Sequence, residues 1–525
     1  MKVNFGRLML KNAKLYADKE ALVNVEKNRR YTFMELHLLT NQICNMMRGQ
    51  LGLKMGDIYA TLLKNENNSM FSFWMCKGEA TGFWMDYFDN FDAHLYQLDY
   101  IKPKVIFIED EVLDKYYEAL RQRGIVIVCM EKTGANKAGV YYFWDLMEDA
   151  PTVETNVEYG YEDHTIILRF TGGTTGRGKA VMYTLSNIMN AVHQFYGYSE
   201  TLISASDRFL HVAPISHGTV FAVLPVFFRG AANITINYPE LNHMCAAIQQ
   251  EKITSTFVVP TLLYRLLDSG LEKTCDLSSL RTVIYAAAPM SPAKLEILQK
   301  RFGNIFAQSY GSSEAFPPIT ILGKGEHIVK NDEDRKRIAS AGRPVTGVEL
   351  LIMDDREKEV PDGEVGEVWV RASSVTRAYY HDQKQTAAEF SPNGFWKSGD
   401  IGYIDEKGYL FIVDRKKDMI ISGGFNIYAA EVENAINSHP AVEQSVVIGI
   451  PHEEWGESVH AEVVLKEGMQ ISARELIDYC KKTLGKYKVP KSITFVDQLP
   501  VNGLGKVARK GVREKYWQGQ ERLVH

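Results

Sequence analysis

Three short apolar runs narrow the choice of architecture more than anything else in this sequence: TIILRF at 165–170, TSTFVVP at 254–260 and RTVIYAAAP at 281–289. Each ends at glycine or proline or is closely followed by one, and helical spacing comes next, which reads as buried strands alternating with helices. Such a chain has to stack helices on sheets, so it is an α/β protein. The stretch 291–302, SPAKLEILQKRF, puts Leu295, Leu298 and Phe302 near one helical face, with Ser291 as the expected N-cap before Pro292. Beyond about residue 340 the texture turns to short strands and hairpins: VELLIMDD at 348–355, EVGEVWVRA at 364–372, and IGYIDEKGYLFIVD around a turn at Glu406, Lys407 and Gly408. After the charged run Asp414 to Asp418 strands and helices alternate again. There Ser472 and Glu475 have capping-box spacing and Gly485 is placed to end the helix.

At 525 residues the chain has room for about three structural units of ~150 residues. Its net charge of −5 is small for that surface, which argues against a nucleic-acid coat or a polybasic membrane anchor. The six cysteines are far apart and form no CxxC or Cys/His cluster with zinc spacing, as expected of a reducing compartment. No apolar run approaches the ~18–20 residues of a membrane-spanning helix, and Lys11 and Lys14 interrupt the N-terminus too early for a signal peptide. The expectation is a cytoplasmic enzyme with no nucleic-acid partner and no membrane span.

The sharpest local signal is TGGTTGRGK, Thr171 to Lys179, directly after the first strand. Glycines let backbone N–H groups approach phosphate oxygens, while threonine hydroxyls and a lysine add donors and charge. Gly173 to Lys179 also fits GxxxxGK, which keeps a P-loop kinase open as a reading. The hydroxyl residue that should follow the lysine and hold magnesium is replaced by Ala180. Further motifs follow in order: Tyr310, Gly311, Ser312, Ser313, Glu314; Trp396, Lys397, Ser398, Gly399, Asp400; Gly423, Gly424, Phe425, Asn426, Ile427; and Pro500 to Lys506, a P-x4-GK ending.

In this order the motifs resemble the adenylate-forming family of acyl-CoA synthetases, firefly luciferases and nonribosomal-peptide adenylation domains, over about residues 10 to 515. The resemblance implies a large N-terminal domain, residues 1–416, built of two α/β sheets and a β-rich subdomain. A small mobile α+β domain, residues 417–525, would pivot at Lys417. It implies that Thr171, Gly173, Thr174, Thr175, Gly176 and Lys179 hold the pyrophosphate end of ATP. Tyr310 and Gly311 would border the adenine with Ala286, Ala287 and Ala288, and Ser313 would keep a hydroxyl near the α-phosphate. Glu314 would bind Mg2+, Asp400 and Arg415 would take the ribose, and Lys506 would join the reacting carboxylate to the α-phosphate. Gly423 and Gly424 would line the tunnel for the thiol of coenzyme A, and His217, Gly218, Thr219 and Tyr285 would border the acyl pocket. The chain departs from the family pattern at Gly178 and Ala429, where proline is usual, and at Ala180, where glycine is usual.

The implied reaction is carboxylate plus ATP to acyl-adenylate and pyrophosphate, then thiol attack giving acyl-CoA and AMP. Segment 212–228 has no aspartate to pair a substrate amine, so the acid is expected to be an apolar, fatty or aromatic small molecule. A carrier-protein pantetheine as acceptor, a noncatalytic nucleotide-binding homologue and a homodimeric assembly stay open at this point.

Overall fold

The computed structural model describes residues 1–525 apart from 75–76, 79, 135, 172–177, 198–202, 217, 239, 289, 501–506 and 518–525. The chain divides into two compact units, one of Met1–Glu349 with Arg371–Gly394, the other of Leu350–Val370 with Phe395–His525.

The larger unit holds two big sheets. In the first, Thr165–Phe170, Thr81–Trp84, Ile58–Leu62, Val105–Ile108, Val126–Cys129 and Val140–Tyr142 run parallel side by side, and Ala180–Thr184 closes one edge antiparallel. The second has a parallel centre formed by Phe306–Tyr310, Thr282–Ala286, Ser255–Val258, Arg208–His211, Ala232–Thr235 and Glu20–Asn24, with antiparallel strands at both edges. Strands buried on both faces read as near-continuous apolar runs, which is why all three runs named above are strands. One core is shared by both sheets and by the helices Phe33–Gly49, Leu185–Gly197 and Val220–Phe228; it includes Phe33, Phe107, Phe195, Phe221 and Phe257. The outer faces of the two sheets pack on separate helical layers.

The expected hairpins form a four-stranded sheet, Val348–Met353, Gly366–Ala372, Trp396–Ile404 and Leu410–Arg415, most of whose residues belong to the smaller unit. A further sheet pairs the long strands Val442–His452 and Gly456–Leu465 antiparallel, with Ser492–Phe495 added parallel. Its core joins Ile427, Val432, Ile436, Val447 and Leu476.

Local expectations hold in part. Ser472 and Glu475 form a reciprocal capping box, but that helix stops at Cys480, short of Gly485. The amides of Thr483 and Leu484 both turn back to the Cys480 carbonyl, which folds Leu484 into the core. Helix Pro292–Phe302 starts after Ser291, whose side chain makes no capping bond. Among the described residues, no helix is long and apolar enough to cross a membrane.

Candidate active site

In the larger unit the glycine-rich loop joins two antiparallel strands, with Phe170 opposite Ala180. Its ends are clasped: the Thr171 amide donates to the Lys179 carbonyl at 2.9 Å, and the Lys179 amide to Thr171 Oγ1 at 3.3 Å. An ideal Cβ on residue 178 would lie 2.4 Å from the Thr171 carbonyl oxygen, so this closure requires glycine where proline is usual in the family. A P-loop runs from strand to helix, whereas this loop runs from strand to strand, and the topology therefore removes the kinase reading. Gly173, Thr174, Thr175 and Gly176 lie outside the described residues.

The Lys179 ammonium meets both oxygens of Glu389, at 2.5 and 2.7 Å, and lies 3.3 Å from the Tyr379 hydroxyl. Tyr379 is buried; its hydroxyl donates to Glu389 and sits 3.1 Å from Glu314 Oε1. Burial and the two carboxylates hold this phenol far above its ordinary range. A single crossing segment brings these groups together. The Thr376 amide donates to the Glu314 carbonyl at 2.7 Å and the Tyr380 amide to the Ala180 carbonyl at 2.8 Å, so Tyr379 spans from one motif to the other. No motif in the sequence reading covered Tyr379 or Glu389; the adjacent Tyr379 and Tyr380 before a short helical pattern were the available signal.

Tyr310 ends a central strand, and Ser312, Ser313 and Glu314 follow it. Ser312 Oγ donates to Glu314 Oε2 at 2.7 Å and accepts the Glu314 amide at 2.9 Å, which fixes the carboxylate. Ser313 is held from the other sheet: Arg169 Nη2 donates to its Oγ at 3.1 Å, and the Tyr183 hydroxyl donates to its carbonyl oxygen. Burial pushes the Tyr183 phenol up to about 12. Arg169, 5% exposed, was missed as well, although a lone arginine inside TIILRF is itself a signal, since a buried charge needs a reason.

Ala286 ends its strand buried, and Ala287 takes φ +72°, a left-handed conformation that costs a residue with a Cβ about 1–2 kcal/mol. Close packing does not explain the alanine run, because Ala287 is exposed and Ala288 half-buried. Tyr285, expected to border the acyl pocket, and its neighbour Ile284 lie in different cores. Successive strand residues face opposite ways, and Tyr285 points into the other core with its hydroxyl 2.9 Å from His327 Nε2. Ile284 lines a narrow apolar cavity with Phe195, Phe221 and Ala307; a second cavity, with Val192, Leu224 and Phe316, shares Phe221. Gly218 and Thr219 lead into the helix that carries Phe221. Thr219 is buried and pairs with His211 Nδ1 at 2.8 Å, while His211 Nε2 meets Asn233 Oδ1 at 2.8 Å. Burial pushes His211 down to about 4, so this imidazole is neutral. His217 lies outside the described residues.

In the smaller unit Asp400 and Arg415 are opposite one another on paired strands, with Arg415 Nε 3.2 Å from Asp400 Oδ1. The charge run after them is only partly solvated: Arg415 and Lys417 are exposed, whereas Asp414 and Asp418 are buried. Burial lifts Asp414 to about 6, against the pull of the Arg509 guanidinium. Gly423 and Gly424 form the turn between Ile420–Ser422 and Phe425–Ile427. Gly424 has φ +83° and open space where a Cβ would sit. Lys506 lies outside the described residues; the chain flanking it is tied by the Ala508 amide donating to the Pro500 carbonyl at 2.7 Å.

The sequence matches the family described as AMP-binding enzyme over residues 9–380, and the AMP-binding enzyme C-terminal domain over 431–506. The chain belongs to the AMP-binding enzyme family. It is 38% identical to the medium/long-chain-fatty-acid–CoA ligase FadD8 of Mycobacterium tuberculosis, over 69% of this chain and 63% of that protein. It is 30% identical to the 2-succinylbenzoate–CoA ligase of Bacillus velezensis, over 96% of this chain and 97% of that one. Among solved structures, ATP-bound MatB from Rhodopseudomonas palustris superposes with a TM-score of 0.88 at 25% identity, covering 98% of this chain and 99% of MatB. MenE from Bacillus subtilis, solved with an acyl-adenylate intermediate, gives 0.82 at 26%, covering 98% of each. This AMP-binding enzyme therefore has the adenylate-forming fold, with a large N-terminal and a small C-terminal domain.

Proposed function

We propose that this protein is an acid:CoA ligase that turns an apolar carboxylic acid and ATP into an acyl-adenylate, then passes the acyl group to coenzyme A. The observation that carries this reading is the meeting of Lys179, Tyr379 and Glu314. A lysine that would hold phosphate is thus linked through one hydroxyl to a carboxylate that would hold a metal, a pairing that suits attack at the α-phosphate of ATP. The ligase names of the relatives support the reaction class, and the fatty-acid name of FadD8 supports an apolar acid. A panel of fatty and aromatic acids, scored by pyrophosphate release with free coenzyme A present, tests the reading. Acid-dependent pyrophosphate and AMP are expected; ADP, or no dependence on any acid, would contradict it.

The groups at Glu314 are its own carboxylate and the hydroxyls of Ser312 and Tyr379, all hard oxygens, and they fit Mg2+. When bound, that ion would offset charge on the phosphates. The chain's own groups do the rest. Lys179 would hold the pyrophosphate end, Arg169 keeps Ser313 in place for the α-phosphate, Tyr310 would face the adenine, and Asp400 with Arg415 would take the ribose hydroxyls. Lys506 would bridge the carboxylate and the α-phosphate, with Lys417 as the pivot of the C-terminal domain. Glu314→Gln should raise the magnesium concentration needed for half-maximal turnover by about tenfold, since an amide oxygen binds a hard divalent ion more weakly than a carboxylate. Superimposable magnesium titrations would assign Glu314 to loop structure alone.

For the second step, Gly424 would border the thiol tunnel. Gly424→Leu is expected to keep first-turnover pyrophosphate release within a few-fold while acyl-CoA formation falls at least about tenfold. Because φ is +83°, any side chain brings backbone strain, so Gly424→Ala is the control: it carries the same strain, about 1–2 kcal/mol, without the bulk. Equal loss of thiol transfer in both variants would mean that the backbone, not the tunnel, is what the glycine serves.

A further inference from the structure

The Glu389 carboxylate has no part in the reading above, yet it occupies the lysine on which that reading depends. We propose that Glu389 is a latch: it holds the Lys179 ammonium in the nucleotide-free enzyme, gives it up to the phosphates of ATP, and takes it back as pyrophosphate leaves. This rests on Lys179 being the phosphate-holding lysine.

The geometry is that of a built contact. Lys179 meets both carboxylate oxygens at 2.5 and 2.7 Å, and Gln385 Nε2 donates to Glu389 Oε1 at 2.7 Å from one turn earlier on the same helix. Tyr379 donates its one proton to Glu389, and its oxygen lies 3.3 Å from the lysine. The pair is mostly shielded, with side chains 22% and 19% exposed. Glu389 is also the last residue of its helix, Gln383–Glu389, where the backbone carbonyls favour a cation over an anion. Helix stability therefore does not account for the carboxylate; its partner does. While the pair is closed, Lys179 offers little net charge to an incoming triphosphate. The phosphates must therefore compete for the ammonium, and the same competition helps to expel pyrophosphate afterwards. Glu389 is thus a positioning residue that acts through Lys179.

Calorimetric titration of the protein with inorganic pyrophosphate and magnesium tests this without any acid, coenzyme A or turnover. Glu389→Gln, nearly isosteric, is expected to bind pyrophosphate about three to ten times more tightly than wild type, the size of one released, partly shielded ion pair. In steady state the same variant should show a lower KM for ATP with no rise in kcat. The decisive control is the pair of variants Lys179→Ala and Lys179→Ala/Glu389→Gln. These should bind pyrophosphate equally weakly, because with no lysine to release the carboxylate has nothing to act through. Unchanged or weaker binding by Glu389→Gln would overturn the latch, as would an equal gain in the Lys179→Ala background. If Lys179→Ala alone leaves pyrophosphate binding intact, the phosphate role of Lys179 fails, a result distinguishable from failure of the latch. Should Glu389→Gln melt well below wild type, Glu389→Ala gives the same comparison.

Discussion

Lys506→Ala is expected to slow acyl-adenylate formation by about 10²–10³-fold, the usual effect of removing one preorganised group that stabilises charge in the transition state. In the proposed first step a carboxylate approaches the α-phosphate, so two anions converge on one point, and a cation placed between them acts most strongly as the new bond forms. The thiol step involves no such convergence. The variant supplied with synthetic acyl-adenylate and coenzyme A should therefore produce acyl-CoA within a few-fold of wild type. Single-turnover measurements of the two half-reactions check this, and a variant with near-normal ATP-dependent adenylation would remove Lys506 from the chemistry.

Arg509→Met is expected to destabilise the smaller unit by about 3–5 kcal/mol, because it removes the cation from a buried cluster of carboxylates. Arg509 Nη2 meets both oxygens of Glu433 at 2.7 and 2.8 Å, Nη1 lies 2.9 Å from Asp418 Oδ2, and Asp414 is 3.9 Å away. Those acidic neighbours raise its pKa well beyond that of an ordinary arginine. Arg513 adds a second cation, its Nη2 2.5 Å from Asp418 Oδ1, so the variant leaves the cluster short by one charge rather than empty. Urea denaturation followed by the fluorescence of Trp455 and Trp517, both in this unit, gives the measurement. Because Arg509 lies three residues after Lys506, the variant should also lose adenylation, and a stability change under 1 kcal/mol would show that the cluster adds little. The pairing ties the C-terminal helix Arg509–Glu514 to the residue next to Lys417, joining two segments far apart in sequence.

The strands TIILRF, TSTFVVP and RTVIYAAAP were legible because a strand buried on both faces must be apolar along its length. The hairpin turn at Gly408 was legible because its φ of +79° favours glycine. The candidate site residues Ser312 to Glu314, Asp400, Gly423 and Gly424 were nominated from short-range motif order. Tyr379, Glu389 and Arg169 were not found, and the reason is geometric. Each acquires its role from a contact across a long sequence separation, Tyr379 with Glu314 and Arg169 with Ser313, and neither motif nor period encodes such contacts. Tyr285 and Ile284, adjacent on one strand, pack in different cores, a distinction of one residue that the motif order does not carry. The charged run at 414–418 looked uniform in sequence, whereas burial separates its aspartates from its basic residues.

The central claim is that the acid's own oxygen attacks the α-phosphorus of ATP, and isotope transfer tests this step directly. An accepted acid labelled with 18O in its carboxylate, turned over with ATP and coenzyme A, should yield AMP carrying one 18O atom and pyrophosphate carrying none. Label in pyrophosphate or inorganic phosphate, or ADP in place of AMP, would contradict the account.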